Sequence, residues 1–421
     1  MSAYAAAQLT GLADRPHRIS AEVQRLALAY VWVTIASSSI VFSEPALYDV
    51  LMLGAALMLP VAGLVSFSRG LGLYLLLWAA IVAGGFVATT QAGFLGVPTT
   101  HMGITLYLAL SSVVMAAFVL HRPVANVRLI MSAYLFAALI AACAGLIGYF
   151  DVVPGAYGLF TTDFGRAQGT FKDPNVLGAF LVPALLYVLN LVMRAGIVRA
   201  SFWLLATPIL LFGSLLAFSR GAWINLAVSL LAYACFTFAT VSTHRQRLKL
   251  IIYVMFAGMF AVGIFAAALT IPTVSELMGQ RASLEQSYDV GPEGSFGGQE
   301  KALGLVVTHP LGIGALEFAR TYHHADVHEV YLSMFLNAGW IGGTLYLALV
   351  LLTIGLGLRQ VVRDRGGDGV SAVLVAAFIG MALEGVVIDS DHWRHFYLIM
   401  AMIWGMGLAS ADRRGSGRAE R

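Results

Sequence analysis

The stretch HEVYLSMFLNAGWIGGTLYLALVLLTIGLG, residues 328–357, decides the fold class of this chain. After its second residue it carries no charged side chain, and about 20 apolar residues suffice for a helix to cross the roughly 30 Å hydrocarbon core of a bilayer. We therefore predict a membrane-spanning helix here. Three histidines, His323, His324 and His328, lie close together in the sequence at its N-terminal end. A polar group beside lipid costs free energy unless it is satisfied, so this cluster marks a candidate functional site.

Apolar runs of this kind recur along the whole chain. Of its 421 residues, 59% are hydrophobic and only 11% are charged, whereas a soluble domain is about 45–50% apolar. The composition predicts an all-α polytopic membrane protein. The N-terminal segment lacks the apolar core of a signal peptide, so we expect the first span to direct insertion. Cys143 and Cys235 lie inside apolar runs and show neither a disulfide nor a zinc pattern.

Apolar runs bounded by Gly, Pro and charged residues predict twelve spans within a transmembrane domain of residues 24–410. Residues 1–23 precede this domain and residues 411–421 form a tail. The spans lie near 24–42, 46–66, 71–90, 103–121, 127–150, 174–193, 202–218, 222–241, 250–271, 328–357, 371–388 and 393–410.

Two of the connections are long, at about 151–173 and, between spans nine and ten, at about 272–327. The second is too long for a simple connector, and such loops are usually functional. Its glycine-rich first part is followed by an apolar stretch from Ala302 to Val307. This pattern predicts a short helix near the membrane surface.

The distribution of basic residues predicts the orientation. If the N-terminus is cytoplasmic, the cytoplasmic segments hold 18 of the 25 Lys and Arg residues, as the positive-inside rule requires. Both termini are then cytoplasmic and both long loops lie on the outer face. Seven basic residues on that face are left unexplained by orientation: Arg166, Lys172, Arg220, Arg281, Lys301, Arg320 and Arg394.

Arg220 lies in the very short outer connection Ser219-Arg220-Gly221-Ala222. A guanidinium held there is partly desolvated, which favours an anionic partner. The alternative is an interfacial anchor that extends to the lipid headgroups.

Arg166 and Lys172 precede a predicted helix start, with Asp173 at the N-cap and Pro174 in the first turn of the sixth span. Basic side chains beside a helix N-terminus form a corner that attracts anions. The alternative is that both are ordinary loop charges.

The histidine cluster allows two interpretations. His323, His324, Asp326 and His328 are side chains that suit zinc, but they share one short segment and form no HExxH pair. The other interpretation is that one histidine is a proton-transfer base and the others support it.

Carboxylates surround the end of the eleventh span. Glu384 lies inside the span and is a functional candidate for that reason. For Asp389 and Asp391 we favour an ion pair with Arg394 that fixes the hairpin. The chain has no Walker loop, dinucleotide-binding glycines or nucleic-acid-binding module, which excludes those classes of function.

In order and spacing, these residues resemble the O-antigen ligase and polysaccharide polymerase superfamily over roughly residues 20–410, and most closely its exopolysaccharide-type members. The resemblance is carried by Arg166 with Gly169-Thr170-Phe171 and Pro174-Asn175, by Ser219-Arg220-Gly221-Ala222, by HPLGIG at 309–314, by His328 with Tyr331-Leu332, and by Gly339-Trp340-Ile341-Gly342.

The resemblance implies an inverting glycosyl transfer at the periplasmic face of the bacterial inner membrane, without metal, cofactor or nucleotide sugar. The donor would be a glycan on undecaprenyl diphosphate, and the acceptor a second lipid-linked glycan or the lipid A core. Membrane lipid is the only other partner implied, and no nucleic acid is involved. The roles implied are His328 as general base, Arg220 as a catalytic and diphosphate-binding residue, Arg166, Lys172 and Arg281 as further diphosphate ligands, and His324 and Tyr331 as supporting residues.

Two positions depart from the family pattern. Members commonly have Asn after the histidine, where this chain has Glu329, and an arginine before Phe-Gly in the long loop, where it has Ser295. We expect Glu329 to hydrogen-bond His328 and raise its basicity. Two alternatives remain open: a polytopic glycan transporter or flippase, and a non-catalytic member of the same family.

Overall fold

The computed structural model describes residues 20–240, 294–364 and 367–419 continuously, with single residues and short pieces between 247 and 291. Within these ranges the regular secondary structure is helical, without a named strand. Arg281 and most of the predicted ninth span lie outside the described residues.

Thirteen α-helices follow one another in the described parts of the chain. They are α1 Ala21–Ala36, α2 Leu47–Val61, α3 Arg69–Thr89, α4 Gly96–His121, α5 Pro123–Tyr149, α6 Ala156–Phe160, α7 Pro174–Arg194, α8 Ile197–Leu216, α9 Arg220–Thr240, α10 Ser295–Thr308, α11 Val330–Arg363, α12 Val370–Glu384 and α13 Arg394–Ala419. A short π-helical turn, Phe318–Tyr322, precedes α11.

The helices confirm a membrane-embedded, all-α architecture. Seven described helices, α3, α4, α5, α7, α8, α9 and α11, are long and apolar enough to cross a membrane. The other predicted spans that fall on described residues coincide with α1, α2, α12 and α13. The count of twelve spans remains a prediction.

Large apolar side chains on the outside of the bundle agree with a lipid environment. Leu57 and Val61 in α2 are each 76% exposed, and Ile341 in α11 is 72% exposed. Leu57 and Val61 are four residues apart and share one face of α2, and extended apolar patches are rare on soluble monomers. The interior is also apolar, with Trp78, Tyr74 and Phe118 almost completely buried.

Contacts between helix ends define two ends of the bundle. At one of them, Val330 N donates to Gly385 O at 2.8 Å and Arg394 binds Asp49. We call it the His328 end, and α2, α4, α7, α9, α11 and α13 begin there. At the opposite end Arg128 binds Asp368, so a basic residue predicted to be cytoplasmic lies away from the His328 end.

The helix α11 is broken at Gly339, where φ is 69° and ψ is −175°. The HPLGIG segment fits directly into the break: Ile313 N donates to Leu336 O at 2.8 Å and Trp340 N donates to Pro310 O at 2.9 Å. A Cβ atom at Gly339 would lie 2.8 Å from backbone atoms of Pro310 and Leu311. Glycine is therefore required there by both φ and space. We call this contact the Gly339 joint.

The joint changes the interpretation of the tenth span. The prediction placed it at 328–357, but the residues after the break, 340–363, extend about 36 Å at 1.5 Å per residue and suffice to cross the membrane. The first part of α11 is therefore a short helix at the His328 end. A small apolar core of Ala302, Ile313, Phe318, Val327 and Leu336 holds it to the preceding loop. The short helix predicted in that loop is confirmed as α10.

Candidate functional site

Arg166 lies in the connection before α7 and is held by two hydrogen bonds. Its Nε donates to the carbonyl of Ala217 at 2.9 Å, and its Nη2 donates to Asn175 Oδ1 at 2.7 Å. Asn175 belongs to the first turn of α7, and Ala217 follows the last residue of α8. The half-buried guanidinium is thereby fixed between two helix ends.

The prediction for the start of α7 is confirmed. Asp173 is its N-cap and accepts a hydrogen bond from Asn175 N at 2.8 Å, and Pro174 is the first helical residue. A capped first turn with proline at N1 is a stable helix start. Arg166 therefore lies beside a rigid helix N-terminus.

Arg220 is the first residue of α9 and lies close to the same place. Ser219 Oγ accepts from Ala222 N at 3.3 Å, which caps α9. A Cβ atom at Gly178 of α7 would lie 2.6 Å from Ala222 Cβ and 3.8 Å from Ser219 Cβ, so the first turns of α7 and α9 are in direct contact. We call Arg166, Arg220 and these two first turns the arginine junction. The two arginines and the two positive helix-dipole ends favour an anion here, whereas the carboxylate of Asp173 at the N-cap of α7 opposes it.

Glu384, at the end of α12, packs against the junction from the other side. Its Oε2 accepts from Asn225 Nδ2 at 2.7 Å, and its Oε1 would lie 3.1 Å from a Cβ atom at Gly221. The side chain is fully buried, and Oε1 has no hydrogen-bond partner among the residues described. Glu384 therefore fixes the first turn of α9 onto α12.

His328 is connected to the same region through the backbone next to Glu384. Val330 N donates to Gly385 O, and Tyr331 Oη donates to Ala382 O at 2.5 Å. His328, two residues before Val330, is exposed at this end. The end of α12 thus joins the His328 segment to the arginine junction, which the sequence alone did not indicate.

Glu329 has a different role from the one expected. Its two carboxylate oxygens accept from Tyr331 N at 3.2 Å and from Leu332 N at 2.8 Å, so it is the N-cap of α11. Burial raises the pKa of Glu329 above its usual value, although the two backbone bonds act in the opposite direction. The expected hydrogen bond to His328 is replaced by helix capping.

The histidine cluster does not gather as a metal site. His323 Nδ1 lies 3.1 Å from Ala325 O, the rings of His323 and His324 have centroids 4.4 Å apart, and Asp326 Oδ1 accepts from Ala319 N. Among the described residues, metal-ligating side chains converge instead at His101, Asp391 and His392.

Three of the other outer basic residues have identified partners. Lys172 is 3.8 Å from Glu44, Lys301 donates to the carbonyl of Tyr322, and Arg320 lies 3.9 Å from Glu317 and over the ring of Phe94. Arg281 lies outside the described residues. Arg166 and Arg220 belong to neighbouring helix ends, since Arg166 donates to the carbonyl of Ala217, three residues before Arg220.

The predicted ion pair between Arg394 and Asp389 or Asp391 is wrong. Arg394 binds Asp49 with both ends of its guanidinium, Nε to Oδ1 at 2.8 Å and Nη2 to Oδ2 at 2.7 Å. Such a planar two-bond match is the strongest arrangement of this pair. Asp389 accepts instead from Ser333 Oγ at 3.0 Å.

Asp391 lies in a second polar cluster. It is 2.8 Å from His101 Nε2 and 3.9 Å from His392 Nε2. Burial on its own raises the pKa of Asp391, but the two histidines outweigh it and lower that pKa to about 2. The neighbouring Asp389 has a pKa well above its usual value, because it is buried and faces the charge of Asp391.

Sequence reasoning missed Asp49, Asn225 and His101 as partners in these clusters. The one sequence pattern that could have indicated Asp49 is an isolated acidic residue in or beside an apolar run. Glu384 has the same pattern, so the pattern does not show which partner either residue binds. His101 contacts a residue 290 positions later, and no local pattern indicates such a pairing.

The geometry at the arginine junction suits binding of an anion next to an exposed histidine. A comparison with models of known protein families and with curated proteins found no match to this chain.

Proposed function

We propose that this chain is a metal-independent, inverting glycosyltransferase of the polysaccharide polymerase or O-antigen ligase type, acting at the periplasmic face of the bacterial inner membrane. Its donor is a glycan on undecaprenyl diphosphate, and its acceptor is a hydroxyl of a second lipid-linked glycan or of the lipid A core. The observation that carries the proposal is the arginine junction, joined by the end of α12 to the His328 segment.

The junction suits the diphosphate of the donor. Guanidinium groups bind phosphate oxygens through paired hydrogen bonds, and the first turns of α7 and α9 add positive dipole ends. Its position at an end of the bundle agrees with a headgroup at the membrane edge. Arg166 is fixed by Asn175 and Ala217, so little entropy is lost when it binds the anion.

The proposed reaction is a single displacement at the anomeric carbon of the donor. The acceptor oxygen forms the new glycosidic bond as the bond from that carbon to the phosphate oxygen breaks. Undecaprenyl diphosphate leaves with the electron pair, stabilised by Arg220 and Arg166. His328 takes the proton of the acceptor hydroxyl, a role suited to an imidazole near neutral pH.

The test uses the purified full-length chain in proteoliposomes with a fluorescent lipid-linked glycan. We expect His328→Ala and Arg220→Ala to lower the rate of glycosidic bond formation at least about 100-fold, the low end of a general-base or oxyanion contribution. Arg166→Ala is expected to raise the KM for donor.

Matched controls are Arg320→Ala, an outer arginine that lies over Phe94, and His121→Ala, a histidine bonded to Ser66 at the opposite end. Both are expected to retain wild-type rates. Transfer by His328→Ala at the wild-type rate, with normal folding, would contradict the proposed mechanism.

The break in α11 favours one second candidate, a glycan transporter, because transporters bind substrate at discontinuous helices. In such proteins the break lies near the bilayer midplane. Here residues 340–363 alone are long enough to cross the membrane, which supports a position of Gly339 near one edge rather than at the midplane. Substrate movement across proteoliposomes without a new glycosidic bond would favour the transporter.

A further inference from the structure

A second polar site lies at the His328 end, apart from the arginine junction. It consists of His101 in the first turns of α4, and Asp391 and His392 in the connection between α12 and α13. One ligand atom of each residue lies within 4.8 Å of the others. We call these three residues the His101 cluster.

The distances in the cluster match those of a metal centre. Two ligands each about 2.05 Å from a tetrahedral zinc ion are roughly 3.3 Å apart. The observed separations from Asp391 Oδ2, 2.8 Å to His101 Nε2 and 3.9 Å to His392 Nε2, lie on either side of that value. Shifts of about half an ångström would bring these two separations to the zinc value, with an ion replacing the hydrogen bond between His101 and Asp391.

The donor set selects the kind of ion. Two imidazole nitrogens and one carboxylate oxygen suit zinc and related divalent transition metals, whereas Mg²⁺ and Ca²⁺ prefer oxygen ligands alone. The hydroxyl of Thr105, 2.9 Å from His392 Nε2, lies next to the site.

The surroundings favour a cation. The nearby guanidinium of Arg394 is bound to Asp49, which offsets its charge, and the carboxylate of Asp391 supplies negative charge within the cluster. The side chains of His101 and Asp391 are each 10% exposed and that of His392 is 24% exposed. The cluster is thus nearly enclosed, with His392 offering a route of entry.

We propose that His101, Asp391 and His392 bind one Zn²⁺ ion that holds the start of α4 to the connection between α12 and α13. The ion ties together segments 290 residues apart. The site lies apart from the arginine junction, its three protein ligands leave a fourth position for water, and its test measures binding.

The experiment uses the full-length chain, purified in detergent with a tag that contains no histidine and stripped with a chelator. Zn²⁺ is added, and bound metal is measured by mass spectrometry after removal of excess. We expect about one Zn²⁺ per chain and a higher Tm on loading. His101→Ala and His392→Ala should each weaken binding by at least about 100-fold, as even loss of an outer partner costs up to that much.

His121→Ala and His309→Ala are the matched controls and should bind Zn²⁺ as the wild type does. If the ligand variants fail to fold, titration of the wild-type chain with Co²⁺ decides the question, because a site with two histidines gives the visible absorption of tetrahedral cobalt. Far less than one Zn²⁺ per wild-type chain, no such absorption, or unchanged binding by folded His101→Ala would overturn the proposal.

Discussion

Replacing Gly339 by alanine tests the joint that positions the start of α11. The conformation of Gly339, φ 69° and ψ −175°, is essentially restricted to glycine, and another residue held in it costs about 1–3 kcal/mol. The new Cβ would also meet backbone atoms of Pro310 and Leu311 at 2.8 Å, and overpacking against atoms that cannot rotate away costs about 1–3 kcal/mol. We therefore expect Gly339→Ala to lower the free energy of unfolding by about 2–6 kcal/mol.

Thermal unfolding in detergent measures this change. For 421 residues at about 2.1 cal/mol/K per residue, the unfolding entropy is about 0.9 kcal/mol/K. The expected decrease in Tm is then about 2–7 °C. Transfer activity should fall as well, because the displaced helix carries the His328 segment with it.

Gly355→Ala is the matched control in the same helix, since a Cβ atom there meets nothing within 4 Å. It should raise the Tm by up to about 1 °C, because alanine favours helix by about 1 kcal/mol. Gly312→Ala, at φ 83° and 2.6 Å from Leu336 O, disturbs the same joint, so its effect should not add fully to that of Gly339→Ala. Equal Tm values for Gly339→Ala and Gly355→Ala would refute the joint.

Five further substitutions, at four residues, separate structural from chemical roles. Glu384→Gln should keep the rate of transfer within about threefold of the wild type, since the amide oxygen can still accept from Asn225. Glu384→Ala should lower the free energy of unfolding by about 2–5 kcal/mol, because it truncates a buried side chain. Loss of transfer in a stable Glu384→Gln protein would instead show that the carboxylate has a chemical role. Arg394→Ala should lower the free energy of unfolding by about 2–3 kcal/mol, less than the 3–5 kcal/mol of a fully buried pair, because the Arg394 side chain is 21% exposed. Adding Asp49→Asn to this variant should recover part of the loss, because it removes the unpaired carboxylate. An unchanged Tm in Arg394→Ala would contradict the ion pair. Glu329→Asn should leave both the Tm and the rate of transfer unchanged, because asparagine is a good N-cap. A loss of rate of about 100-fold would instead indicate that Glu329 assists His328, as the sequence suggested.

The helices were largely predictable from the sequence, because twenty-residue apolar runs have few alternatives to a membrane helix. The break in α11 was not predicted. Glycines inside an apolar run are compatible with a continuous helix, and only the Pro310–Gly314 segment packing into Gly339 identifies the exception.

Individual residues of the candidate site could be predicted from the sequence, but their contacts with one another could not. Arg166 and Arg220 could be selected because orientation left them unexplained, and Asp173 because capping is local. The partner of Arg394 could not be selected. Asp389 and Asp391 are its sequence neighbours, yet Asp49 lies directly opposite at the start of α2 and offers two oxygens at 2.7 and 2.8 Å.

Transfer of a glycan from a lipid diphosphate is tested most directly by following both products in one reaction. Purified chain in proteoliposomes is supplied with a lipid-linked donor and acceptor, and undecaprenyl diphosphate and the new glycosidic bond are quantified together. The proposal predicts one undecaprenyl diphosphate released per bond formed, with inverted anomeric configuration, and loss of both products in Arg220→Ala. No bond formation by folded wild-type chain, or bond formation with retained configuration, would contradict it.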